Sequence, residues 1–154
     1  MTDADFGEQF SVMRGRLLAI CSGLVGSDEA EDIVQETYLR ARRNLQTLRE
    51  VTALEGWATR IAVNLCYSHH ARGGRLRRLL PVLLPAQTHQ GGDLGLRDLL
   101  ERLPARERTV TVLHYGHGYA FDEIARLLSI SPENARTIAS RTRRKLAAEW
   151  RRSG

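Results

Sequence analysis

Apolar residues in the first part of the chain recur every three or four positions: Phe6, Phe10, Met13, Leu17, Leu18, Ile20 and Leu24. That period predicts a helix from Asp5 to about Leu24, with Gly23 and Gly26 placed to break it. A second helix opens at Ser27 or Asp28. Asp28, Glu29, Glu31 and Asp32 lie where acidic groups favour a helix start, and Ala30, Ile33, Val34, Thr37, Tyr38, Ala41 and Leu45 form its apolar stripe. A loop over 46–54 leads into a third helix, from Glu55 to about Ala71, with Trp57, Ile61, Ala62 and Leu65 expected on its buried face. Gly73 and Gly74 loosen the chain after it. The stretch 75–93 contains Pro81, Pro85, Gln87, Gln90, Gly91 and Gly92 and reads as a linker. Leu79, Leu80, Val82, Leu83 and Leu84 imply that part of this linker packs against something.

Helical spacing resumes at Leu94, where Leu96, Leu99, Leu100 and Leu103 form a stripe ended by Pro104. Pro104 also suits the start of the next helix, Ala105 to about Tyr115, which Gly116 and Gly118 close. A short helix from Ala120 to Leu128 and a long basic one from Pro132 to about Trp150 complete the pattern. β-branched residues form no alternating run. The fold class expected is therefore all-α: two small helical domains, 5–74 and 94–152, joined by the linker. Bodies of ~60 residues bury only ~60% of their unfolded surface, so partners are expected to add to their order.

The net charge of +5 on 154 residues hints at a polyanionic partner, and its distribution sharpens the hint. Acidic residues crowd the front, whereas arginines crowd 72–78 and 136–152. Two cysteines, Cys21 and Cys66, form no disulfide framework and fit a reducing cytoplasm. The chain lacks the ~20-residue apolar run needed to span a bilayer, so no membrane insertion is expected. Cys66, His69 and His70, and separately His114 and His117, have spacings a metal could use, but neither set supplies four ligands. The histidines read as surface residues, with no metal or cofactor. No phosphate loop, nucleophile elbow or paired-carboxylate signature appears, which argues against an enzyme.

The segment Tyr119–Leu146 carries the first functional pattern. Phe121, Ile124, Ala125 and Leu128 line a short helix, and 128–131 can turn tightly with Ile130 pointing back inward. Ser131 is a good N-cap, Pro132 a good first helical residue and Glu133 a favourable charge beside them. The last helix would pack through Ala135, Ala139, Thr142 and Leu146. This is a helix-turn-helix, whose second helix presents its outer residues to the DNA major groove. Those residues are Glu133, Asn134, Arg136, Thr137, Ser140, Arg141 and Arg144, with Ser131 at the entry. Arginine pairs bidentately with guanine, each such contact being worth ~1–3 kcal/mol of discrimination.

The second pattern is Asp28-Glu29-Ala30-Glu31-Asp32-Ile33-Val34-Gln35-Glu36-Thr37-Tyr38-Leu39-Arg40-Ala41, followed by Gly56-Trp57-Ala58-Thr59-Arg60-Ile61-Ala62-Val63-Asn64-Leu65. The two stretches resemble the polymerase-binding and promoter-melting helices of extracytoplasmic-function sigma factors. Leu103-Pro104-Ala105-Arg106-Glu107-Arg108 and Gly118-Tyr119-Ala120-Phe121-Asp122-Glu123-Ile124-Ala125 are similar to the opening of that family's second domain. The four segments stand in the family's order from about Phe10 to Leu146, failing only at the linker. The resemblance implies a factor that binds core RNA polymerase, at the β′ clamp helices and the β subunit, and directs promoter-specific initiation. It implies control by an anti-sigma protein as well.

By the same resemblance, Asp28, Asp32, Gln35, Glu36 and Arg40 would contact polymerase. Trp57, Arg60 and Asn64, with the loop 48–55, would hold a base flipped from the minus-10 element, and Arg72 and Arg75, beside Arg77 and Arg78, would meet nearby phosphates. The last helix would read the minus-35 element. Residue chemistry leaves blander roles open: a solvated acidic face, a core tryptophan, a basic linker. The chain departs from the family at Thr59, where an aromatic residue is usual, at Ser129, where glycine is common in the turn, and at Ile138, where a basic residue is frequent. A stand-alone DNA-binding regulator and a sigma-like decoy for an anti-sigma protein are the alternatives; the acidic helix argues against the first and the terminal arginines against the second.

Overall fold

A computed structural model describes residues 2–48, 53–83 and 95–153, excluding the side chains of 70–83, 96, 97 and 153. Its elements are α1 (Asp3–Val25), α2 (Ser27–Arg43), a 3-10 turn (Leu45–Thr47), α3 (Leu54–Leu83), α4 (Leu96–Arg102), α5 (Ala105–Thr111) running into a π-helical turn (Val112–Gly116), α6 (Phe121–Leu128) and α7 (Pro132–Ser153). The described residues contain no strand, as the periodicities predict. The chain divides into two units, 1–68 and 69–154.

In the first unit α1 packs on α2. Its inward face is Phe6, Phe10, Met13, Leu17, Ile20, Cys21 and Leu24, a repeat that keeps one seam facing its neighbour. Thr2 caps it: the Asp5 amide donates to the Thr2 hydroxyl at 3.2 Å while the Asp5 carboxylate accepts from Thr2. Those bonds hold the Asp5 carboxyl below its ordinary pKa, so the cap's contribution is present at neutral pH and fades as acid protonates the group. Gly26 separates α1 from α2 at φ +90°, a conformation that costs glycine little. Phe6, Phe10 and Tyr38 form an aromatic cluster with centroids 5.1–5.8 Å apart. The buried face of α2 is Ala30, Val34, Thr37 and Ala41, and the Thr37 hydroxyl is satisfied by the Ile33 carbonyl.

The third helix departs from expectation twice. It runs on to Leu83 rather than ending near Ala71. Gly73 and Gly74 each cost ~1 kcal/mol of helix propensity, but the leucines and arginines after them are strong helix formers. The stretch 75–83, expected as linker, is thus helical, and 84–94 lies outside the described residues. Its core face is also rotated. Leu54, Ala58, Ala62, Val63 and Cys66 are buried, whereas Trp57, Ile61 and Leu65 are only half-buried. Cys21 and Cys66 are both reduced and sealed inside this unit. An Arg16–Glu55 ion pair at 2.9 Å ties α1 to α3, but both side chains are half exposed and such pairs contribute ~0–1 kcal/mol.

In the second unit Leu99, Leu103, Val110, Val112, Leu113, Tyr119, Ile124, Ala125, Ala135 and Ala139 make the core. The small side chains of Ala135 and Ala139 let α7 approach closely. Expected as one regular helix to Tyr115, the chain instead widens into the π-helical turn after Thr111. Gly118, at φ +70°, then redirects it toward α6. This turn gives His114 a half-buried place rather than a surface one: its Nδ1 donates to the Tyr119 carbonyl at 2.8 Å.

Glu107 on α5 lies 3.8 Å from Lys145 on α7, and Tyr115 meets the Ala139 carbonyl at 3.5 Å, so α5 and α7 run antiparallel. Between those contacts the hydroxyls of Thr111 and Thr142 are buried without a protein partner. Valine is isosteric with threonine and lacks the group to desolvate. Thr142→Val is therefore expected to raise unfolding free energy by roughly 1 kcal/mol, read by denaturant titration, and an unchanged or lowered midpoint would contradict the unsatisfied hydroxyl.

Candidate nucleic-acid and polymerase interfaces

On α2 the residues Asp28, Asp32 and Gln35 are all exposed, and their spacing puts them on one stripe. Glu36, half-buried, and Arg40, exposed, flank that stripe and pair with each other at 3.0 Å. Five of the residues singled out from the sequence thus share one surface. Its carboxylates outnumber its single arginine, and that arginine is neutralised locally by Glu36. What remains is a net acidic, rigid helical face, chemically suited to a basic protein surface.

Beyond Arg40 the helix ends in a polar turn. The Asn44 side chain donates to the Arg40 carbonyl at 2.9 Å, and the Thr47 hydroxyl donates to the Asn44 carbonyl at 2.7 Å. This turn and α3 enclose a cleft of about 440 Å³ lined by Arg40, Asn44, Thr47, Trp57, Ile61, Asn64, Leu65 and Ser68. The α3 members recur at helical spacing, so they are one face of that helix. Trp57, Ile61 and Leu65, expected on the buried face from the sequence, border this cleft because Ala58 and Ala62 take the inward positions. An aromatic and aliphatic wall opposes a rim of hydroxyl, amide and guanidinium groups. That combination can stack a planar ring and hydrogen-bond its edge.

Trp57 and Asn64 therefore meet at one site as expected, and Asn44, Thr47 and Ser68 join them unforeseen. The i, i+4, i+7, i+11 run Trp57-Ile61-Asn64-Ser68 held the signal for the last, because its polar members cannot all be buried. Arg60 is exposed and does not line the cleft. Thr59 is buried, its hydroxyl spent on the Glu55 carbonyl at 2.7 Å, so this departure leaves the cleft wall untouched. The side chains of Arg72, Arg75, Arg77 and Arg78 lie outside the described residues, as do 49–52 of the loop.

In the second unit α6 and α7 form the helix-turn-helix. Ser129 takes the left-handed conformation at φ 56°, ψ 46°, the region that glycine enters at least cost. The Ile130 amide then donates back to the Ala125 carbonyl at 3.0 Å, closing the helix end. Ile130 is only half-buried: it lies in a shallow groove with Asp122, Ala125, Arg126 and Pro132 rather than in the core. Ser131 caps α7, accepting from the Asn134 amide at 3.0 Å. Its hydroxyl is committed to the cap.

On α7 the residues Glu133, Asn134, Arg136, Thr137, Arg141 and Arg144 are exposed. Ser140, expected outward, is half-buried, because it neighbours the close-packed Ala139. Ile138 is half-buried as well, which suits an apolar residue where a basic one would have to be partly desolvated. Thr137, Arg141 and Arg144 share the outer face, with Arg136 at its edge toward α6. Among the described residues no three His, Cys, Asp or Glu side chains are grouped to hold a metal ion, and no helix is long and apolar enough to cross a membrane.

One helical unit carries an acidic stripe beside an apolar-walled cleft, and the other carries an arginine-faced helix-turn-helix. Residues 10–76 match the family model of sigma-70 region 2, and residues 94–146 match that of sigma-70 region 4. Over 130 residues the chain is 32% identical to the ECF RNA polymerase sigma factor SigE of Mycolicibacterium smegmatis, which covers 77% of this chain and 50% of that protein. It is 39% identical over 105 residues to SigG of Mycobacterium tuberculosis, covering 65% of this chain and 28% of that protein. The chain thus spans about half the length of these curated relatives, or less. Among solved structures, the sigma factor RpoE of Bartonella quintana, in complex with the anti-sigma factor NepR, superposes with a TM-score of 0.71 at 24% identity, covering 92% of this chain and 94% of that one. The chain belongs to the sigma-70 family, among its extracytoplasmic-function members.

The cap at Ser131 predicts a measurable effect. Ser131→Ala is expected to lower the stability of the second unit by roughly 1 kcal/mol, with the thermal midpoint as readout. No change would mean that the cap geometry is not maintained in solution.

Proposed function

We propose that this chain is a transcription initiation factor that binds core RNA polymerase and directs it to specific promoters. The observation that carries the reading is the presence of both modules, in family order, on one chain. In this reading Asp28, Asp32, Gln35, Glu36 and Arg40 dock on the β′ clamp helices, and the second unit lies against the β subunit. The cleft takes a base flipped from the minus-10 element: Trp57, Ile61 and Leu65 supply the wall and Asn64 the polar edge. Arg60, Arg72 and Arg75 neutralise phosphates beside it. Ser131, Glu133, Asn134, Arg136, Thr137, Ser140, Arg141 and Arg144 belong to the minus-35 interface, Ser131 by setting the start of α7.

The chain catalyses no reaction itself and works in the cytoplasm, where polymerase is. Control by an anti-sigma protein is supported by the similarity to RpoE, solved with its own anti-sigma factor. DNA affinity falls with salt, because each phosphate neutralised on duplex DNA releases ~0.9 counterions.

Run-off transcription and co-purification with core polymerase test the division of labour. Asp32→Ala with Gln35→Ala is expected to weaken polymerase association by roughly tenfold or more while leaving the fold intact. Arg141→Ala with Arg144→Ala should leave that association unchanged, reduce promoter binding and lower the salt slope by about 0.9 for each phosphate contact removed. A chain that fails to bind core polymerase, or variants that lose both activities together, would overturn the proposal.

A further inference from the structure

Phe121 opens α6 but does not belong to its sealed face. It is half-buried, whereas Ile124 and Ala125 behind it are buried. The His114 imidazole stacks on its ring, with centroids 4.1 Å apart and planes 22° from parallel. The Arg136 guanidinium carbon stands over the same ring, 5.5 Å from its centroid. His114 is itself held, by the Tyr119 carbonyl at 2.8 Å and by a T-shaped contact with Tyr115, ring centroids 4.8 Å apart. Fixed backbone on one side thus leads, ring by ring, to a charged group on the exposed helix.

We propose that Phe121 is a positioning residue for promoter recognition, its ring holding Arg136 in the orientation from which Arg136 contacts DNA. The proposal rests on the reading of α7 as the DNA-contacting helix. An exposed arginine samples many rotamers, and ordering it on binding costs affinity. A ring that takes up the guanidinium by its face restricts those rotamers beforehand. It leaves the in-plane N–H donors free for bidentate pairing with a base edge or phosphate. Sequence periodicity assigns Phe121 to the core of α6; the structure gives it a second task at the surface.

The test uses holoenzymes assembled from core polymerase and the full chain: wild type, Phe121→Leu, Phe121→Tyr, Arg136→Ala and the Phe121→Leu/Arg136→Ala pair. Each selects sequences from a promoter library randomised over the upstream element. Arg136→Ala is expected to erase preference at one or two positions. Phe121→Leu, which keeps apolar bulk but loses the ring, should weaken preference at those same positions by roughly three- to fivefold. Phe121→Tyr should retain it, and the double variant should be no worse than Arg136→Ala alone. Thermal unfolding of each chain is followed in parallel, so that a loosened module is recognised as such. Wild-type preferences in Phe121→Leu, a uniform loss across positions, or an additive double variant would each overturn the proposal. Unchanged selection by Arg136→Ala would remove its premise and overturn it too, whereas failure of the wild-type holoenzyme to select any sequence would instead sink the initiation-factor reading.

Discussion

The direction of α7 depends on how one turn is closed. Ser129 is held in the left-handed region and the Ser131 hydroxyl accepts from the Asn134 amide, so the chain changes direction within three residues. L-residues resist the left-handed conformation by about 1–2 kcal/mol, so serine sits there only because neighbouring contacts over-determine it. Close packing of Ala135 and Ala139 then fixes the roll of the helix. Once direction and roll are set, Thr137, Arg141 and Arg144 have no course but outward. The arginine-bearing face is thus a by-product of core packing, and its precision is that of the core.

The first unit solves a related problem differently. Its inward positions on α2 and α3 are filled largely by alanine, threonine, valine and cysteine, so the helices approach closely and long side chains are driven to the surface. On α2 those side chains are acidic and produce a net negative stripe. On α3 they are Trp57, Ile61 and Leu65, which border the cleft beside the turn at the end of α2. Arg40 belongs to both places, pairing with Glu36 on the stripe and lining the cleft.

Much of this was legible in the sequence. The helices α1, α2, α6 and α7 follow directly from apolar period and caps, because their cores are continuous stripes ended by glycine, serine or proline. The acidic and arginine-bearing faces were legible for the same reason: charges were found where the stripe was not. Three features were not legible. The roll of α3 was misjudged because Trp57 is more hydrophobic than Ala58, although shape rather than hydropathy selects the inward residue. The extension through Gly73 and Gly74 was missed because glycine's cost was weighed without the helix-forming flanks. The widened turn at Val112–Gly116 has no period to betray it, and the ring contacts of His114 follow from it.

Both thiols of the first unit are enclosed, Cys21 on α1 and Cys66 on α3. A reagent or oxidant in the surrounding solution meets sulfur only when those helices separate. Covalent labelling of these cysteines therefore keeps time for the breathing of the module. Any molecule that clasps the closed form slows that clock, without a dye having to be attached to the exposed helix faces.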